Sequence, residues 1–177
     1  MGHNVLMELS DLASRLSEVA QLSGSFRLRS GQTTSVYFDK YRFESDPELL
    51  AAVAEAMVDL VPDDTELLAG LELGGVPVAT ALALVSGLHV VFVRKKPKEY
   101  GTAKLAEGPG IEGKRLLVVE DVVTTGGQVV SSTRQLRERG AVVTTAACVI
   151  DREEGGAEAL AEIGVTLKPL FRRSDIA

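Results

Sequence analysis

The first apolar pattern in the chain has the spacing of a helix. Five apolar residues recur every three or four positions with charged residues between them: Leu6, Leu9, Leu12, Leu16 and Val19. This spacing predicts an amphipathic helix over residues 6–19. Two short apolar runs, at 26–28 and 36–38, lie on either side of a Ser-Gly turn and predict a pair of short strands.

From residue 46 onward, apolar runs alternate with helical patterns. Asp46 followed by Pro47 is typical of a helix start and predicts a helix that ends near residue 60. The predicted strands cover residues 67–71, 89–93, 115–119, 141–150 and 165–171, and the predicted helices cover 76–86, 127–139 and 157–163. Nearly continuous apolar strands that alternate with helices are typical of a mainly parallel sheet covered on both faces. The sequence therefore predicts one α/β domain over residues 1–177.

The composition of the chain limits the kinds of molecule that it is expected to bind. The 177 residues include 19 Lys and Arg against 25 Asp and Glu, a net charge of −6. This balance argues against nucleic acid as a partner and means that any anionic ligand is held by a local basic cluster. No apolar run reaches the roughly 18 residues of a membrane span, and no signal-peptide pattern is evident, so we expect a cytoplasmic protein with no membrane partner. Cys148 is the only cysteine and is expected to be a buried core residue.

The segment 116–128 is the most informative part of the sequence. A predicted strand ends in Glu120 and Asp121, a Thr-Thr-Gly-Gly turn follows at 124–127, and a helix begins. Converging N–H groups at a glycine-rich helix start form a cradle for a phosphate group. Helix capping explains the glycines and threonines, but it does not explain the paired acids, which would repel phosphate. The acids make sense if ribose hydroxyls lie between them and the phosphate.

This segment resembles the motif of type I phosphoribosyltransferases that binds phosphoribosyl pyrophosphate (PRPP). The resemblance implies that Glu120 and Asp121 hold the ribose hydroxyls and that the turn binds the 5′-phosphate. The implied PRPP contacts in this segment are Glu120, Asp121, Val122, Val123, Thr124, Thr125, Gly126, Gly127 and Gln128. Glu120 stands where Asp is frequent in the family, and Gln128 stands where Ser, Thr or Ala is frequent.

The polar stretch 94–114 is too long for a plain connector, and its alternative interpretation is a solvated charge run. Its start resembles the mobile catalytic loop of orotate phosphoribosyltransferases, Arg-Lys-x-x-Lys-x-His-Gly. Arg94, Lys95, Lys98 and Gly101 match this pattern, while Tyr100 replaces the usual His. By resemblance, Arg94, Lys95, Lys98 and Tyr100 contact PRPP. Cations at this place would stabilise the charge that grows on departing pyrophosphate.

A second glycine-containing segment, 70–77, lies between a predicted strand and a predicted helix. It resembles the pyrophosphate loop of the same family, in which backbone amides meet the diphosphate. The resemblance implies that Leu73, Gly74 and Gly75 bind PRPP, because glycines permit close approach of the backbone. The alternative is an ordinary helix cap.

Two further segments resemble the parts of this family that contact the nucleobase, the second substrate. The segment 151–156 resembles the Asp-Arg-x-x-x-Gly segment of orotate phosphoribosyltransferases, in which Arg152 matches the arginine on the orotate carboxylate and Thr124 matches a second orotate contact. A guanidinium suits two-point contact with a planar carboxylate, although a surface salt bridge would also explain Arg152. The segment 26–39 resembles the family's N-terminal hood and implies that Arg29, Tyr37 and Phe38 cover the base.

The resemblance spans roughly residues 24–156 in the family's order. It implies the type I phosphoribosyltransferase fold, with a hood formed by about residues 1–45 and C-terminal residues. It implies transfer of the phosphoribosyl group of PRPP to orotate, giving orotidine 5′-phosphate and pyrophosphate. The implied catalytic residues are Lys98, Asp121 and Glu120.

The same resemblance implies a Mg²⁺ cofactor, held mainly by substrate and water rather than by protein metal ligands. It also implies a homodimer in which the basic loop of one subunit reaches the site of its neighbour. Two alternatives stay open, a related enzyme that acts on a purine and a PRPP-sensing regulator without turnover. Arg152 and the basic loop argue against the first, and the acidic net charge argues against the second.

Overall fold

The computed structural model describes residues 7–27, 31–96 and 105–176, and their main feature is a six-stranded sheet. The strands are β1 (Gln21–Arg27), β2 (Thr33–Phe38), β3 (Leu67–Leu71), β4 (His89–Val93), β5 (Ala106–Glu107), β6 (Arg115–Val123), β7 (Val142–Asp151) and β8 (Thr166–Arg172). The α-helices are α1 (Leu9–Ala20), α2 (Tyr41–Glu44), α3 (Pro47–Met57), α4 (Gly75–Ser86), α5 (Gly127–Arg137) and α6 (Gly156–Ala161). Two 3-10 turns cover Val58–Leu60 and Arg173–Asp175.

The strand order of the sheet creates a crevice at its centre. The order is β5-β4-β3-β6-β7-β8, and all neighbours are parallel except β5 and β4. The chain moves outward from β3 in one direction and outward from β6 in the other, so the order reverses between these two strands. Ligands of open α/β sheets bind beyond the carboxyl ends of the strands at such a point.

The end of β6 extends past its neighbour on one side. Its last pairing with β3 joins Val119 to Gly70, while its pairing with β7 continues to Val123. The backbone from 120 to 123 is therefore held by β7 alone. This leaves room beside β6 for side chains from the loop that follows β3.

The core lies on both faces of the sheet, as predicted. One face packs against α1, α3 and α4, where Leu16, Leu49 and Leu82 are fully buried. The other packs against α5 and α6 through Leu136 and Leu160. Cys148 is fully buried in the second layer, so the prediction of a core cysteine is confirmed. In the described ranges no helix is both long and apolar enough to span a membrane.

Several boundaries differ from the sequence predictions. The strand predicted over 115–119 continues through Val123, so Glu120 and Asp121 lie inside β6 rather than at its end. Charged residues usually mark the end of a buried strand, but here Glu120 pairs in register with Cys148 of β7. The first hairpin strand begins at Gln21 instead of residue 26, because its polar sequence hides the pattern. The stretch 94–114 contains the short strand β5, which pairs with β4.

Besides β5, two short elements of the described residues were not predicted. The four-residue helix α2 follows the hairpin of β1 and β2 directly. The C-terminal 3-10 turn over Arg173–Asp175 is held to the end of β7, because the backbone N–H of Ser174 donates to Glu153 Oε2 at 3.0 Å. Both elements border the crevice side of the molecule and supply side chains to the site.

Candidate active site

The loops after β3 and β6 form a polar cavity at the reversal of strand order, which we call the switch-point cavity. Its lining residues are Lys40, Tyr41, Glu72, Leu73, Lys95, Glu120, Asp121, Val122, Val123, Thr124, Thr125, Gly126, Gly127, Gln128 and Val129. All three predicted PRPP segments are represented in this one place: the pyrophosphate loop, the start of the basic loop and the 120–128 segment. The hood, which was predicted to cover the base, reaches the cavity through Lys40 and Tyr41.

The turn between β6 and α5 offers backbone N–H groups to this cavity. In the described part of the chain, no hydrogen bond uses the N–H groups of Thr124, Thr125 or Gly126, and the first N–H groups of α5 have no partner one turn earlier. Gly126 has a φ of 75°, a conformation that favours glycine. A side chain there would also meet Leu160 at 2.8 Å. The turn therefore packs against α6 and has unpaired N–H groups, an arrangement that suits binding of a phosphate group.

Asp121 lies at the centre of the cavity floor and is fully buried. Its Oδ2 is 2.5 Å from Lys40 Nζ, and its Oδ1 accepts from the N–H of Val122 at 2.6 Å. A Cβ atom on Gly74 would lie 1.7 Å from Asp121 Oδ2. The pyrophosphate loop thus touches the acid that the sequence assigns to ribose, and only glycine permits this approach.

A second loop glycine packs against the neighbouring strand. A Cβ atom on Gly75 would lie 2.3 Å from the carbonyl oxygen of Val119. The peptide between Glu72 and Leu73, which precedes these glycines, is cis. Gly74 and Gly75 therefore lie behind the cavity surface, while Leu73 lines the cavity itself.

The buried acids do not all carry charge. Burial, followed by the charge of Asp121, raises the pKa of Glu120 well above its usual value. Burial alone would raise the pKa of Asp121, but hydrogen bonds from three neighbours outweigh it and lower that pKa; the neighbours are Glu44, Glu120 and Lys40. Burial would likewise lower the pKa of Lys40, and its bond to Asp121 raises it instead. The floor therefore holds one carboxylate, Asp121, paired with one ammonium group.

Glu44 is a third buried acid at this floor. Burial and a hydrogen bond to Asp121 raise its pKa to about 9. The group is then neutral at physiological pH and can donate its proton to the Asp121 carboxylate. Glu44 comes from α2, so the unpredicted helix supplies both a donor and, at its N-terminal flank, the paired cation Lys40.

Replacing Glu44 with glutamine is expected to change how stability depends on pH. Folded Glu44 keeps its proton up to about pH 9, while an unfolded glutamate loses it near 4.5. Between these values the unfolded chain binds fewer protons, so the free energy of unfolding of the wild type falls as pH rises. Glu44→Gln lacks this proton, and its slope should be shallower by up to about 1.4 kcal/mol per pH unit. Urea denaturation at several pH values between about 5 and 8 measures the slopes; equal slopes would show that Glu44 is ionised when folded.

Glu72 joins three segments of the site. Its N–H donates to the carbonyl of Val93 at 2.9 Å, and its Oε2 accepts from the N–H of Lys95 at 2.9 Å. Its carbonyl oxygen accepts from Gln128 Nε2 at 2.8 Å. The pyrophosphate loop is therefore tied to the start of the basic loop and to helix α5. Gln128 departs from the family pattern. Its long side chain reaches the carbonyl oxygen of Glu72, which the shorter side chains of Ser, Thr or Ala at this position could not reach.

Gln128→Ala is expected to raise the KM for PRPP by about 2- to 10-fold, because one neutral hydrogen bond contributes about 0.5–1.5 kcal/mol. The value of kcat should change less, since the backbone N–H at 128 is retained. Steady-state kinetics with varied PRPP measures the effect. Gln135→Ala, on the exposed side of the same helix, is the matched control. An unchanged KM for PRPP in Gln128→Ala would mean that the loop keeps its place without this bond.

A second cavity lies under the hairpin, and we call it the hood cavity. Its lining residues are Ser17, Gln21, Thr34, Val36, Tyr37, Phe38, Ile150, Arg152, Arg173 and Ile176. Two of these are arginines and none is an acid, so the lining favours an anionic ligand with an apolar body. Arg152 Nη2 pairs with Glu154 Oε1 at 3.3 Å, and this contact is partly exposed. Phe26 packs on the Tyr37 ring at 5.5 Å between centroids.

The structure brings most of the predicted site residues to these two cavities. Tyr37, Phe38 and Arg152 line the hood cavity, whereas Thr124 lines the switch-point cavity. Arg94 lines neither, because its Nε pairs with Glu107 Oε1 at 3.3 Å. Three predicted site residues, Arg29, Lys98 and Tyr100, lie outside the described residues.

Sequence reasoning missed four residues at the site. Lys40 and Glu44 have the spacing of an ordinary surface pair on a helix, and nothing local indicates their contact with Asp121. Glu72 was inside a segment that was interpreted through its glycines alone. Arg173 follows the last strand, in a segment with no recognised pattern. Its place beside Arg152 depends on the parallel pairing of β7 with β8.

Comparison with known proteins agrees with this geometry. The family model for the phosphoribosyl transferase domain matches residues 42–169. The orotate phosphoribosyltransferase of Nocardioides sp. is 51% identical over 165 residues, which are 93% of this chain and 92% of that protein.

Solved structures show the same likeness. The orotate phosphoribosyltransferase of Mycobacterium tuberculosis, in complex with Fe(III) dicitrate, has a TM-score of 0.87 at 31% identity and covers 96% of this chain and 98% of its own. The same enzyme in complex with PRPP has a TM-score of 0.82 at 30% identity, covering 95% and 98%.

Proposed function

The chain belongs to the orotate phosphoribosyltransferases, and from this premise we propose how its two cavities divide the substrates. The reaction transfers the phosphoribosyl group of PRPP to orotate and yields orotidine 5′-phosphate and pyrophosphate. PRPP occupies the switch-point cavity, and the pyrimidine ring of orotate extends toward the hood cavity. The observation that carries this assignment is the turn at 124–128, which lines a cavity beside a buried carboxylate and, among the described residues, leaves the N–H groups of 124–126 without a partner.

The switch-point cavity suits each part of PRPP. The 5′-phosphate accepts hydrogen bonds from the backbone of the turn and from the hydroxyl groups of Thr124 and Thr125. The ribose hydroxyls donate to Asp121, while the protonated Glu120 can donate in return. The pyrophosphate lies beside Leu73 of the pyrophosphate loop, near Lys95.

Charge placement supports bond breaking at C1′. As the bond to pyrophosphate lengthens, positive charge develops on the ribose and negative charge develops on the leaving group. The Asp121 carboxylate, held in a buried and preorganised position, stabilises the positive charge on the ribose. Lys95 and, by family resemblance, Lys98 stabilise the negative charge on the pyrophosphate. The N1 atom of orotate gives up its proton to water and forms the new bond to C1′ from the opposite face, while the bond to pyrophosphate breaks.

The hood cavity suits orotate better than a purine base. Arg152 can leave its partly exposed pair with Glu154 and bind the orotate carboxylate through two hydrogen bonds. The rings of Tyr37 and Phe38 offer apolar surface to the flat pyrimidine. A neutral purine has no carboxylate to offer Arg152 or Arg173, so it would lack the charge-assisted hydrogen bonds that orotate can form.

Mg²⁺ fits this site as a companion of the substrate. The oxygen atoms it prefers belong to PRPP. Of the cavity acids, Asp121 is engaged by Lys40 in the empty site and by ribose when PRPP is bound, the pKa of Glu120 is raised by burial, and Glu72 accepts the backbone N–H of Lys95. Among the described residues no group of three His, Cys, Asp or Glu side chains is arranged to hold a metal. Bound to pyrophosphate oxygens, Mg²⁺ would neutralise part of the leaving-group charge.

An exposed apolar surface supports a homodimer. Leu84 and Val85 on α4 are 83% and 44% exposed, and Phe92 on β4 is 38% exposed. A twofold contact through these side chains would remove them from water. The neighbouring subunit would then stand close enough to offer its basic loop to this switch-point cavity.

Mixing two inactive chains tests whether the sites are shared. Lys98→Ala removes the loop cation, and Asp121→Asn removes the floor carboxylate. If each site takes its loop from one subunit and its floor from the other, mixed dimers should regain up to about a quarter of wild-type activity from one intact site in half of the dimers. Activity of the mixture is compared with that of each parent after exchange of subunits. A mixture no more active than its parents would place loop and floor in the same subunit.

A direct assay tests the proposed reaction. The ultraviolet absorbance of orotate is followed with PRPP and Mg²⁺, and it should fall only when all three are present. Adenine and xanthine, offered under the same conditions, should not be consumed. Consumption of a purine in place of orotate, or the absence of turnover, would contradict the proposal.

A further inference from the structure

The pyrophosphate loop itself provides no cation. Residues 67–77, which include the loop and its flanks, contain no Lys or Arg. Pyrophosphate carries more negative charge as it leaves, and stabilising that charge requires nearby cations or donors. Among the described residues, the cations that line the switch-point cavity are Lys40 and Lys95.

Lys40 lies at the junction of loop and floor. Its Nζ is 2.5 Å from Asp121 Oδ2, and the backbone of Gly74 is so close to that same oxygen that a Cβ there would lie 1.7 Å from it. The ammonium group is therefore beside the pyrophosphate loop as well as beside the ribose acid. Its side chain is 32% exposed, and the Tyr41 ring lies 5.4 Å from Nζ, measured to the centroid.

We infer that Lys40 is a catalytic residue that binds the pyrophosphate group of PRPP and stabilises it as it departs. This inference rests on the proposed function. Before PRPP binds, the ammonium group neutralises Asp121. Ribose hydroxyls then replace it as donors to Asp121, and the released ammonium turns to the pyrophosphate oxygens beside Leu73.

This arrangement has an electrostatic reason. A fully buried carboxylate without a partner is costly, so Lys40 keeps Asp121 ionised in the empty site. Burial would lower the pKa of Lys40, but its bond to Asp121 raises it, so the group arrives at the pyrophosphate charged. The cation comes from the hood side, next to α2, rather than from the loop, where Gly74 has no room for a side chain.

Two ligands, pyrophosphate and ribose 5-phosphate, distinguish direct contact of Lys40 with pyrophosphate from a role that is limited to holding Asp121. Titration calorimetry is performed with magnesium pyrophosphate and with ribose 5-phosphate on the wild type, Lys40→Gln and Lys114→Gln. Lys114 is also in an ion pair, with Glu66 at 2.8 Å, but lies outside the cavity. Lys40→Gln should weaken pyrophosphate binding by about 10- to 100-fold, the loss typical of a charged hydrogen bond. Ribose 5-phosphate binding should change less than about 3-fold, and Lys114→Gln should change neither.

Three other results of this titration would overturn the inference. Equal losses for both ligands would mean that Lys40 acts only by holding Asp121, and no loss for either would mean that it contacts neither; both overturn the inference. If wild-type protein binds neither ligand, the proposed function fails and the inference fails with it.

A chemical variant tests the amine of Lys40 independently of Lys40→Gln. Lys40→Cys is prepared and then alkylated with bromoethylamine, which restores an amine of nearly the same length. Cys148 is fully buried and burial raises the pKa of its thiol, so it should not react in the folded protein. Mass spectrometry confirms a single adduct. Alkylation should restore pyrophosphate affinity at least about 10-fold over unmodified Lys40→Cys, and an unchanged affinity would count against the inference.

Discussion

Gly74→Ala is expected to lower kcat/KM for PRPP by about 10³-fold, the upper end for loss of one preorganised contact. The new Cβ would lie 1.7 Å from Asp121 Oδ2, so the loop or the carboxylate must move. Either movement separates two parts of the site that act on the same bond, the ribose acid and the pyrophosphate loop. Steady-state kinetics with varied PRPP measures the loss, and thermal unfolding shows that the protein is still folded.

A glycine in open space is the control for that substitution. A Cβ on Gly110 meets nothing within 4 Å, and its φ is not among the positive values. Gly110→Ala should therefore retain wild-type kcat/KM within about 2-fold, as surface substitutions usually do little. If folded Gly74→Ala kept comparable activity, the contact between loop and floor would not matter for the reaction.

Arg152→Gln is expected to raise the KM for orotate by about 10- to 150-fold while the KM for PRPP changes little. A hydrogen bond to a charged group contributes about 1.5–3 kcal/mol, and Arg152 is one of two cations among the described residues that line the hood cavity. Arg152→Lys should recover only part of this loss, because an ammonium group cannot form the two-point contact of a guanidinium. Kinetics with varied orotate at saturating PRPP measures both variants.

Removal of a remote arginine controls for the change in net charge. Arg139 is exposed near the end of α5, and its Nη1 donates to the carbonyl of Gln135 at 2.7 Å. Arg139→Gln should leave the KM for orotate unchanged. If Arg152→Gln weakened PRPP and orotate equally, Arg152 would support the site as a whole rather than recognise the base.

The sequence predicted the layered fold and the main site because their signals are local. Each parallel strand is an apolar run, and the turn at 124–127 carries its own glycines and threonines. The family assignment inferred from these ordered segments is confirmed by the comparisons. The α/β fold with a mainly parallel central sheet is confirmed as well.

The missed parts of the site depend on contacts between distant segments. The end of β6 was placed too early because Glu120 and Asp121 look like the close of a strand, whereas their burial results from β7 on one side and α2 above. Lys40 meets Asp121 from 81 positions away in sequence, a separation that no periodicity reveals. The neutral state of Glu44 likewise follows from burial beside Asp121, which only the folded chain creates.

The hood was the least predictable region. Its first strand, β1, has the sequence QLSGSFR, in which polar residues and a glycine obscure any alternation. Its register with β2 shifts between Ser23 and Phe26, so a strict two-residue period is absent. Tyr37 and Phe38 were assigned to the hood by the resemblance of segment 26–39 to the family, and both line the hood cavity.

A crystal structure with bound ribose 5-phosphate would show where the sugar phosphate docks. We expect phosphate oxygens within about 3.2 Å of the backbone nitrogens of the 124–128 turn, with the ribose hydroxyls on Asp121. Phosphate bound elsewhere, or a turn whose N–H groups are already bonded within the protein, would contradict this expectation.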